Sequence, residues 1–280
     1  MKDMRAELRA PKSILFPVDL SEHSASAAAL IAALERRFQS RVVVLFALEP
    51  VDHPIELLGG NMFDTRSRPA VAKEHLAEFI ARHHINFPHE LRVEEGDSAS
   101  VIVQVAEEIN ADLICMSTRG HGAFRSFLLG STTAKVLNDA QVPVLTSTHV
   151  HGSSDQAVPE LRSIVCAFAP DDRGRTALSA ALLLAKDYDA SLTVVHAQES
   201  GDKSVADEVE RSVKTAGAQP STAPQIVVSV GSVPQVVHSV AKDRRADLVV
   251  IGRSTPGPLG RLRSNSYAIV RSAPCPVLSV

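Results

Sequence analysis

The sequence predicts an α/β fold in which two doubly wound parallel sheets follow one another along the chain. Two observations predict it: short apolar runs alternate with helical patterns, and the whole pattern occurs twice. The length of 280 residues also exceeds what one hydrophobic core usually serves. Each sheet is expected to have five parallel strands in the order 3-2-1-4-5, with helices on both faces and right-handed crossovers.

The internal repeat is visible directly in the letters. "SILFPVDLSEHSASAAALIAAL" from Ser13 is echoed by "SIVCAFAPDDRGRTALSAALLLA" from Ser163, an offset of 150 residues. "GDSASVIVQVAEEINADLICM" from Gly96 matches "GSVPQVVHSVAKDRRADLVVI" from Gly231, where the offset is 135. The first half therefore contains a longer connection, between residues 50 and 95.

A polar stretch rich in Gly, Ser and Pro, "HVHGSSDQAVPE", separates the two copies. It predicts a first domain over residues 1–150, a linker over 151–160 and a second domain over 161–280. We refer to these two domains as the first half and the second half.

The elements of the first half follow from apolar periodicity. "VVVLF" and "LICMS" are continuously apolar, as is typical of strands covered on both faces. Strands are predicted at 13–18, 41–48, 89–94, 111–117 and 142–148. Helices are predicted at 22–39, 69–84, 98–109 and 130–140.

Composition excludes several classes of partner. A net charge of -3 without a basic stripe argues against nucleic acid. The N-terminus, "MKDMRAELRAPK", is charged and no apolar run is long enough to span a bilayer, so a cytoplasmic protein without a membrane anchor is expected. Cys115, Cys166 and Cys275 form no C-x-x-C pair and are expected to be buried, reduced thiols.

Two segments are expected to meet where the winding direction of the first sheet reverses, between its first and fourth strands. The first strand ends in "FPVDLSE", and the fourth leads into "STRGHGAFRSFLLGSTT" at 117–133. Asp19 is a candidate to bind a ribose hydroxyl or an adenine amino group. Alternatively, Asp19 caps the helix that starts near Glu22, in competition with Ser21.

The second segment has the composition of a phosphate-binding loop. Gly120 and Gly122 allow close approach of the backbone, and Gly130 precedes Ser131 and Thr132, which open the next helix. The unpaired N–H groups and the positive dipole end of a helix start attract anions, and Ser131 is the natural N-cap. A plain bend followed by an ordinary capped helix explains the glycines equally well.

This loop resembles that of the universal stress protein family, whose ATP-binding members carry G-x2-G-x9-G-[S/T] after the fourth strand. The resemblance covers the chain twice and implies the tandem form, with adenine-nucleotide alpha-hydrolase-like sheets of flavodoxin-like order. Gly120, Gly130 and Ser131 match the second glycine, the third glycine and the hydroxyl position. Ser117 stands where the first glycine belongs.

The resemblance implies ATP or ADP as the ligand, with or without Mg²⁺. Asp19 then matches the acidic residue that contacts adenosine, Ala47 lies beside the base, and Thr132 adds a hydroxyl near the phosphates. His121, inside the loop, is also expected near the phosphates. The full candidate set is Pro17, Val18, Asp19, Ala47, Ser117, Arg119, Gly120, His121, Gly122, Gly130, Ser131 and Thr132.

The second half departs from the pattern. Ala169 stands in place of Asp19, the loop after its fourth strand is shorter, and Pro256 and Pro258 remove backbone donors from it. A degenerate copy that does not bind ATP is therefore expected. Arg253, Arg261 and Arg263 are expected to form a solvated basic loop; the alternative is that they hold an anion.

Two functions remain open. The first is a stress-response regulatory protein whose nucleotide state changes the surface that an unidentified protein partner reads. The alternative is a nucleotide-free universal stress protein that acts as a structural or interaction module, which Ser117 favours. No catalytic or metal-binding motif is present, so an enzyme is not expected beyond slow ATP hydrolysis or self-phosphorylation at Ser131 or Thr132.

In this family the terminal strands commonly pair, so "VPVLTS" and "CPVLSV" are expected to join the halves as a pseudo-dimer. Whether two chains also form a homodimer is left open.

Overall fold

The computed structural model describes residues 11–50, 68–118, 129–147, 161–198, 204–216, 220–253 and 265–280. Several positions that the sequence singles out lie outside the described residues. They are Arg119, Gly120, His121 and Gly122 of the candidate loop, the linker 151–160, most of the connection 51–68, and Pro256, Pro258, Arg261 and Arg263 of the second half.

The first half alternates strands and helices as its sequence predicts, with every predicted boundary within two residues of the observed one. Its elements are β1 (Ser13–Val18), α1 (Glu22–Phe38), β2 (Arg41–Leu48), α2 (Arg68–Arg82), β3 (His89–Glu95), α3 (Ser98–Glu108), β4 (Leu113–Ser117), α4 (Ser131–Asp139) and β5 (Val144–Ser147).

The second half repeats this order. Its elements are β6 (Ser163–Ala167), α5 (Asp172–Tyr188), β7 (Ser191–Gln198), α6 (Ser204–Thr215), β8 (Gln225–Val230), α7 (Val233–Asp243), β9 (Leu248–Ile251), α8 (Asn265–Ser272) and β10 (Val277–Ser279).

All described strands belong to one ten-stranded sheet with the order β3-β2-β1-β4-β5-β10-β9-β6-β7-β8. The predicted order 3-2-1-4-5 is therefore confirmed in each half. Within each half the strands are parallel, whereas β5 and β10 pair antiparallel, with Leu278 opposite Leu145. The expected pairing of the terminal strands is present, and it covers two short apolar edges that would otherwise be exposed.

The core lies in layers on the two faces of this sheet, because successive residues of a strand point to opposite faces. Ile14 of β1 belongs to a cluster with Ile31 of α1 and Leu178 of α5. Leu15 points the other way and packs with residues of α3 and α4. The first cluster contains residues of both halves, so one continuous apolar layer joins them.

Candidate functional site

The carboxyl ends of β1 and β4 lie side by side, and the winding direction of the first half reverses between them. Such a reversal opens a crevice that ligands use in doubly wound sheets. Pro17 and Val18 end β1 and are buried, and Ser117 ends β4 and is also buried. Ala47, near the end of β2, is half-buried. The structure thus brings these four candidates to one edge of the sheet.

Asp19 follows β1 directly and is held by two serines. Its Oδ1 accepts hydrogen bonds from the Ser21 amide at 3.1 Å, the Ser21 hydroxyl at 2.5 Å and the Ser24 hydroxyl at 2.5 Å. The Ser24 hydroxyl also accepts from the Asp19 amide at 3.1 Å. Because Ser24 is only 2% exposed, its hydroxyl is shielded from competing water. The carboxylate orientation is therefore fixed by the first turn of α1.

This geometry excludes one of the two sequence interpretations of Asp19, namely that it is the N-cap of α1. Ser21 is the N-cap of α1, since its Oγ accepts from the Ser24 amide at 3.3 Å. Asp19 is therefore not the N-cap, and its carboxylate instead accepts hydrogen bonds from the N-cap residue, Ser21. Leu20, between them, has a left-handed backbone with φ 61°, a conformation that costs a residue with a side chain about 1–3 kcal/mol.

Sequence reasoning did not assign a role to Ser24 or to Leu20. A signal for Ser24 was present in the Asp-x-Ser-x-x-Ser spacing of residues 19–24, which puts two hydroxyls within one helical turn of a carboxylate. No comparable signal marks Leu20, because leucine rarely adopts positive φ.

Helix α4 starts one residue earlier than a Ser131 cap would require. Gly130 is the N-cap, with φ -58° and ψ 142°, and its carbonyl accepts from the Ala134 amide at 2.9 Å. The prediction that Ser131 is the N-cap was therefore wrong: Ser131 is already the first helical residue. No side-chain hydrogen bond caps this helix start. The amides of Ser131, Thr132 and Thr133 consequently have no intrahelical acceptor, as at any helix start.

The backbone conformation at position 130 does not require a glycine. Its φ of -58° suits any residue, and an added Cβ would lie 3.5 Å from Thr133 Oγ1 and 3.6 Å from the Thr118 carbonyl oxygen, which are ordinary contacts. The missing side chain instead leaves the start of α4 open to close approach. Ser131 is exposed there and Thr132 is half-buried.

Two hydrogen bonds tie the start of α4 to the end of β4, and a third ties the end of β4 to β5. The Gly130 amide donates to the Thr118 carbonyl at 3.0 Å, and Thr133 Oγ1 donates to the Ser117 carbonyl at 3.1 Å. Thr118 Oγ1 in turn donates to the Ser147 carbonyl of β5 at 3.2 Å. Thr118 and Thr133 were not singled out by sequence reasoning. As the last residue of β4, Ser117 has an extended backbone, so serine at this position causes no backbone strain.

A charged pair ties the outer side of α4 to α3. Lys135 Nζ lies 3.1 Å from Asp97 Oδ2, and Asp97 is the N-cap of α3. Hydrogen bonds from Ser100 lower the pKa of Asp97, and Lys135 lowers it further. Both partners are half-exposed, so this pair orients α4 more than it stabilises the fold.

The equivalent turn of the second half is built differently. Ala169 and Pro170 stand at the positions of Asp19 and Leu20, and Gly174 stands at that of Ser24. Asp171 caps α5 by accepting from the Gly174 amide at 2.8 Å. An added Cβ on Gly174 would lie 1.8 Å from the Ala169 carbonyl oxygen, so the backbone of the turn fills the space that a side chain would need.

The end of β9 is also in close contact with this turn. Gly252 aligns with Ser117, and an added Cβ there would lie 2.6 Å from the carbonyl oxygen of Arg173, in the first turn of α5. The backbone of α5 therefore lies directly against the end of β9. At these two described positions of the second half, backbone atoms therefore occupy the space that side chains would need at this edge of the sheet.

Arg253, which follows Gly252, is partly buried and bonded to another residue rather than fully solvated, so that part of the sequence prediction was wrong. Its Nη1 donates to the Ala140 carbonyl, at the end of α4, at 2.5 Å. Burial lowers the pKa of the Arg253 guanidinium. This contact crosses between the halves, and its position depends on how they pack, which the local sequence does not reveal.

Three further features bear on what the described residues can do: a metal site, a membrane-spanning helix and a reactive thiol. No group of three or more His, Cys, Asp and Glu side chains in them is arranged to hold a metal ion. None of the helices described is long and apolar enough to cross a membrane. The three cysteines are free and buried, as predicted, and burial raises the pKa of each thiol to about 12.

Comparison with known proteins agrees with this architecture. The model of the Universal stress protein family matches residues 11–147 and again residues 160–280. A universal stress protein of Thermus aquaticus is 35% identical over 135 residues, which cover 48% of this chain and 96% of that protein. One from Synechocystis is 35% identical over 136 residues, covering 48% of this chain and 83% of the relative.

A solved structure resembles both halves together. The crystal structure of a universal stress protein from Archaeoglobus fulgidus covers 95% of this chain and 95% of its own, with a TM-score of 0.74 and 22% sequence identity. At this identity the likeness concerns the fold. It extends over the tandem arrangement, since it spans nearly all of both chains.

Proposed function

Because the chain belongs to the universal stress protein family, we propose that it is a stress-response regulatory protein that binds ATP or ADP in its first half. In this proposal the nucleotide orders the loop after β4, and the nucleotide state changes a surface that a protein partner reads. The observation that carries the proposal is the open start of α4 at Gly130, on the sheet edge that also holds Asp19.

The start of α4 suits a phosphate group. Three consecutive amides without intrahelical acceptors and the positive end of the helix dipole favour an anion there. The exposed hydroxyl of Ser131 and that of Thr132 add further donors. Gly130 has no evident role in the packing of the described chain, so close approach of a ligand is the role that we assign to it.

Asp19 suits the nucleoside. Ser21 and Ser24 hold one carboxylate oxygen, so the group enters the crevice in a fixed orientation and loses little freedom on binding. A carboxylate so placed accepts hydrogen bonds from ribose hydroxyls or from an adenine amino group. Pro17, Val18 and Ala47 form the apolar border on which an adenine ring would lie, and Arg119, Gly120, His121 and Gly122 would complete the phosphate loop, with or without Mg²⁺.

The second half is proposed to be a domain that does not bind nucleotide, with boundaries at 161 and 280 after the linker 151–160. Ala169 supplies no carboxylate, and backbone fills the edge at Gly252. We assign no enzymatic role to either half beyond slow hydrolysis of the bound nucleotide or self-phosphorylation of the protein at Ser131 or Thr132. Cytoplasmic location and homodimerisation remain part of the proposal.

The alternative, a nucleotide-free interaction module, is favoured by Ser117, because a side chain replaces the first glycine of the family's loop. Calorimetric titration of ATP with Mg²⁺ into the full chain separates the two. We expect one site per chain in the natural protein and no measurable binding in Asp19→Ala. Asp171→Ala, which removes a carboxylate from the equivalent turn of the second half, is the matched control and should bind as the natural protein does. Absence of binding at millimolar ATP would favour the interaction module.

A further inference from the structure

The residue that precedes the α4 N-cap is packed into the second half. Leu129 is 6% exposed, and it belongs to a hydrophobic cluster on one face of the sheet. Among the described residues, all other buried members of that cluster lie in the second half. They are Val165, Val195, Val236, Val237, Ala241, Ala246, Val249, Ile251, Ile269, Val270, Cys275 and Val277. The end of the candidate nucleotide loop is thus anchored in the core of the other domain.

Helix α4 continues along the same surface. Ala134 and Leu137, one turn apart on this helix, also pack against the second-half cluster. At the far end, the Ala140 carbonyl accepts from Arg253 Nη1 at 2.5 Å. The second half therefore contacts α4 before its start, along its side and at its end.

The contact at Arg253 is favourable in charge as well as in geometry. A helix carries partial negative charge on its last carbonyls, and a guanidinium stays charged in proteins. Arg253 follows β9 directly, and its amide donates to the Val280 carbonyl at 2.8 Å. Its backbone is fixed by the sheet of the second half, so the guanidinium ties the end of α4 to a rigid element.

We propose that the second half positions the nucleotide-binding elements of the first half, with Leu129 and Arg253 as the positioning residues. This inference rests on the nucleotide site proposed above. The domain without a site of its own then holds the start of α4 at the place where phosphate binds. Since linkage is reciprocal, bound nucleotide also stabilises the second-half cluster around Leu129.

Calorimetry with ATP and Mg²⁺ on the full chain tests the positioning. Leu129→Ala is compared with a control variant, Leu178→Ala. Leu178 lies in the second half and is 1% exposed, so the control removes the same atoms from a similarly buried site. It belongs, however, to the cluster on the opposite face of the sheet. We expect Leu129→Ala to weaken ATP binding about tenfold and Arg253→Gln about fivefold, while Leu178→Ala binds within about twofold of the natural protein. Equal affinities of Leu129→Ala and Leu178→Ala would overturn the inference. Absence of binding in the natural protein would instead overturn the proposed function.

Thiol labelling tests the reciprocal effect. Cys275 belongs to the Leu129 cluster, and Cys166 to the cluster on the opposite face. Both thiols are buried, so a disulfide reagent reacts only after local opening. Saturating ATP should slow labelling of Cys275 more than that of Cys166, and Leu129→Ala should remove this difference. If ATP binds but slows both thiols equally, it acts by global stabilisation alone and the inference fails.

Discussion

The turns that follow β1 and β6 occupy equivalent places in the two halves and have opposite construction. In the first, a left-handed Leu20 and a buried Ser24 present Asp19 at the edge of the sheet. In the second, Pro170 excludes the left-handed conformation, and Gly174 lets backbone occupy the space of a side chain. Three positions therefore differ together. The difference indicates that the turn orients the acidic side chain, so in the proposed site the turn matters as much as the carboxylate itself.

The same contrast exists at the end of the fourth strand. Ser117 has a side chain at the end of β4, whereas Gly252 permits the α5 backbone to pack against β9. Each difference predicts the effect of a substitution in one half, and the equivalent position in the other half provides a control. They follow in order of expected effect.

The largest effect is expected at Gly174. Gly174→Ala introduces a methyl group where the Ala169 carbonyl oxygen lies 1.8 Å away, so the turn or α5 must move. We expect a loss of roughly 3 kcal/mol in the free energy of unfolding, measured by urea denaturation. Ser24→Ala in the first half, which adds no atoms, should cost only about 1 kcal/mol. Similar losses in the two variants would contradict the close backbone packing described for the second half.

Leu20→Pro should make the turn after β1 resemble the turn after β6, where proline occupies the equivalent position. Proline cannot adopt φ 61°, so Asp19 loses its orientation and ATP binding should fall below detection in calorimetry. Leu20→Gly is the control, because glycine adopts the left-handed conformation readily and should retain affinity. Normal ATP affinity in a folded Leu20→Pro protein would show that the turn does not orient a binding residue.

At Gly130 we expect a graded loss of affinity at nearly constant stability. Gly130→Ala finds only ordinary contacts in the protein, so thermal denaturation should be little changed while ATP binds about tenfold more weakly. Gly130→Asp adds a negative charge at the phosphate position and should bind about 100-fold more weakly. Unchanged affinity in both variants would mean that Gly130 is merely an N-cap.

The smallest effect on binding is expected at Ser24. Ser24→Ala removes one of the hydroxyls that hold Asp19 Oδ1, and the remaining bonds from Ser21 preserve part of the orientation. We expect ATP affinity to fall about threefold to tenfold, with partial recovery in Ser24→Thr, which restores the hydroxyl. Binding to 2′-deoxy-ATP, measured alongside, reports whether the lost affinity involves a ribose contact.

The sequence predicted the sheet well and the site less completely. Periodicity and the repeat were sufficient to locate the strands, because each strand carries its own apolar run. The order 3-2-1-4-5 did not follow from periodicity, which does not say which strands are neighbours; it was expected as the flavodoxin-like order of such sheets. The N-cap of α4 was assigned to Ser131 because serine caps helices often, but the Gly130 carbonyl already accepts the first helical hydrogen bond. Ser24 was missed although the Asp-x-Ser-x-x-Ser spacing offered a signal, and Leu20 was missed because residue propensities disfavour its left-handed conformation. The Arg253 contact was missed because it depends on the packing of two domains.

Hydrogen exchange measured peptide by peptide, with and without saturating ATP and Mg²⁺, tests the difference between the halves most directly. We predict slower exchange at residues 19–24 and 129–136, where the nucleotide is proposed to bind, and no change at 169–175, where backbone fills the equivalent edge. Equal protection of both turns, or protection at 169–175 alone, would contradict the assignment of the site to the first half.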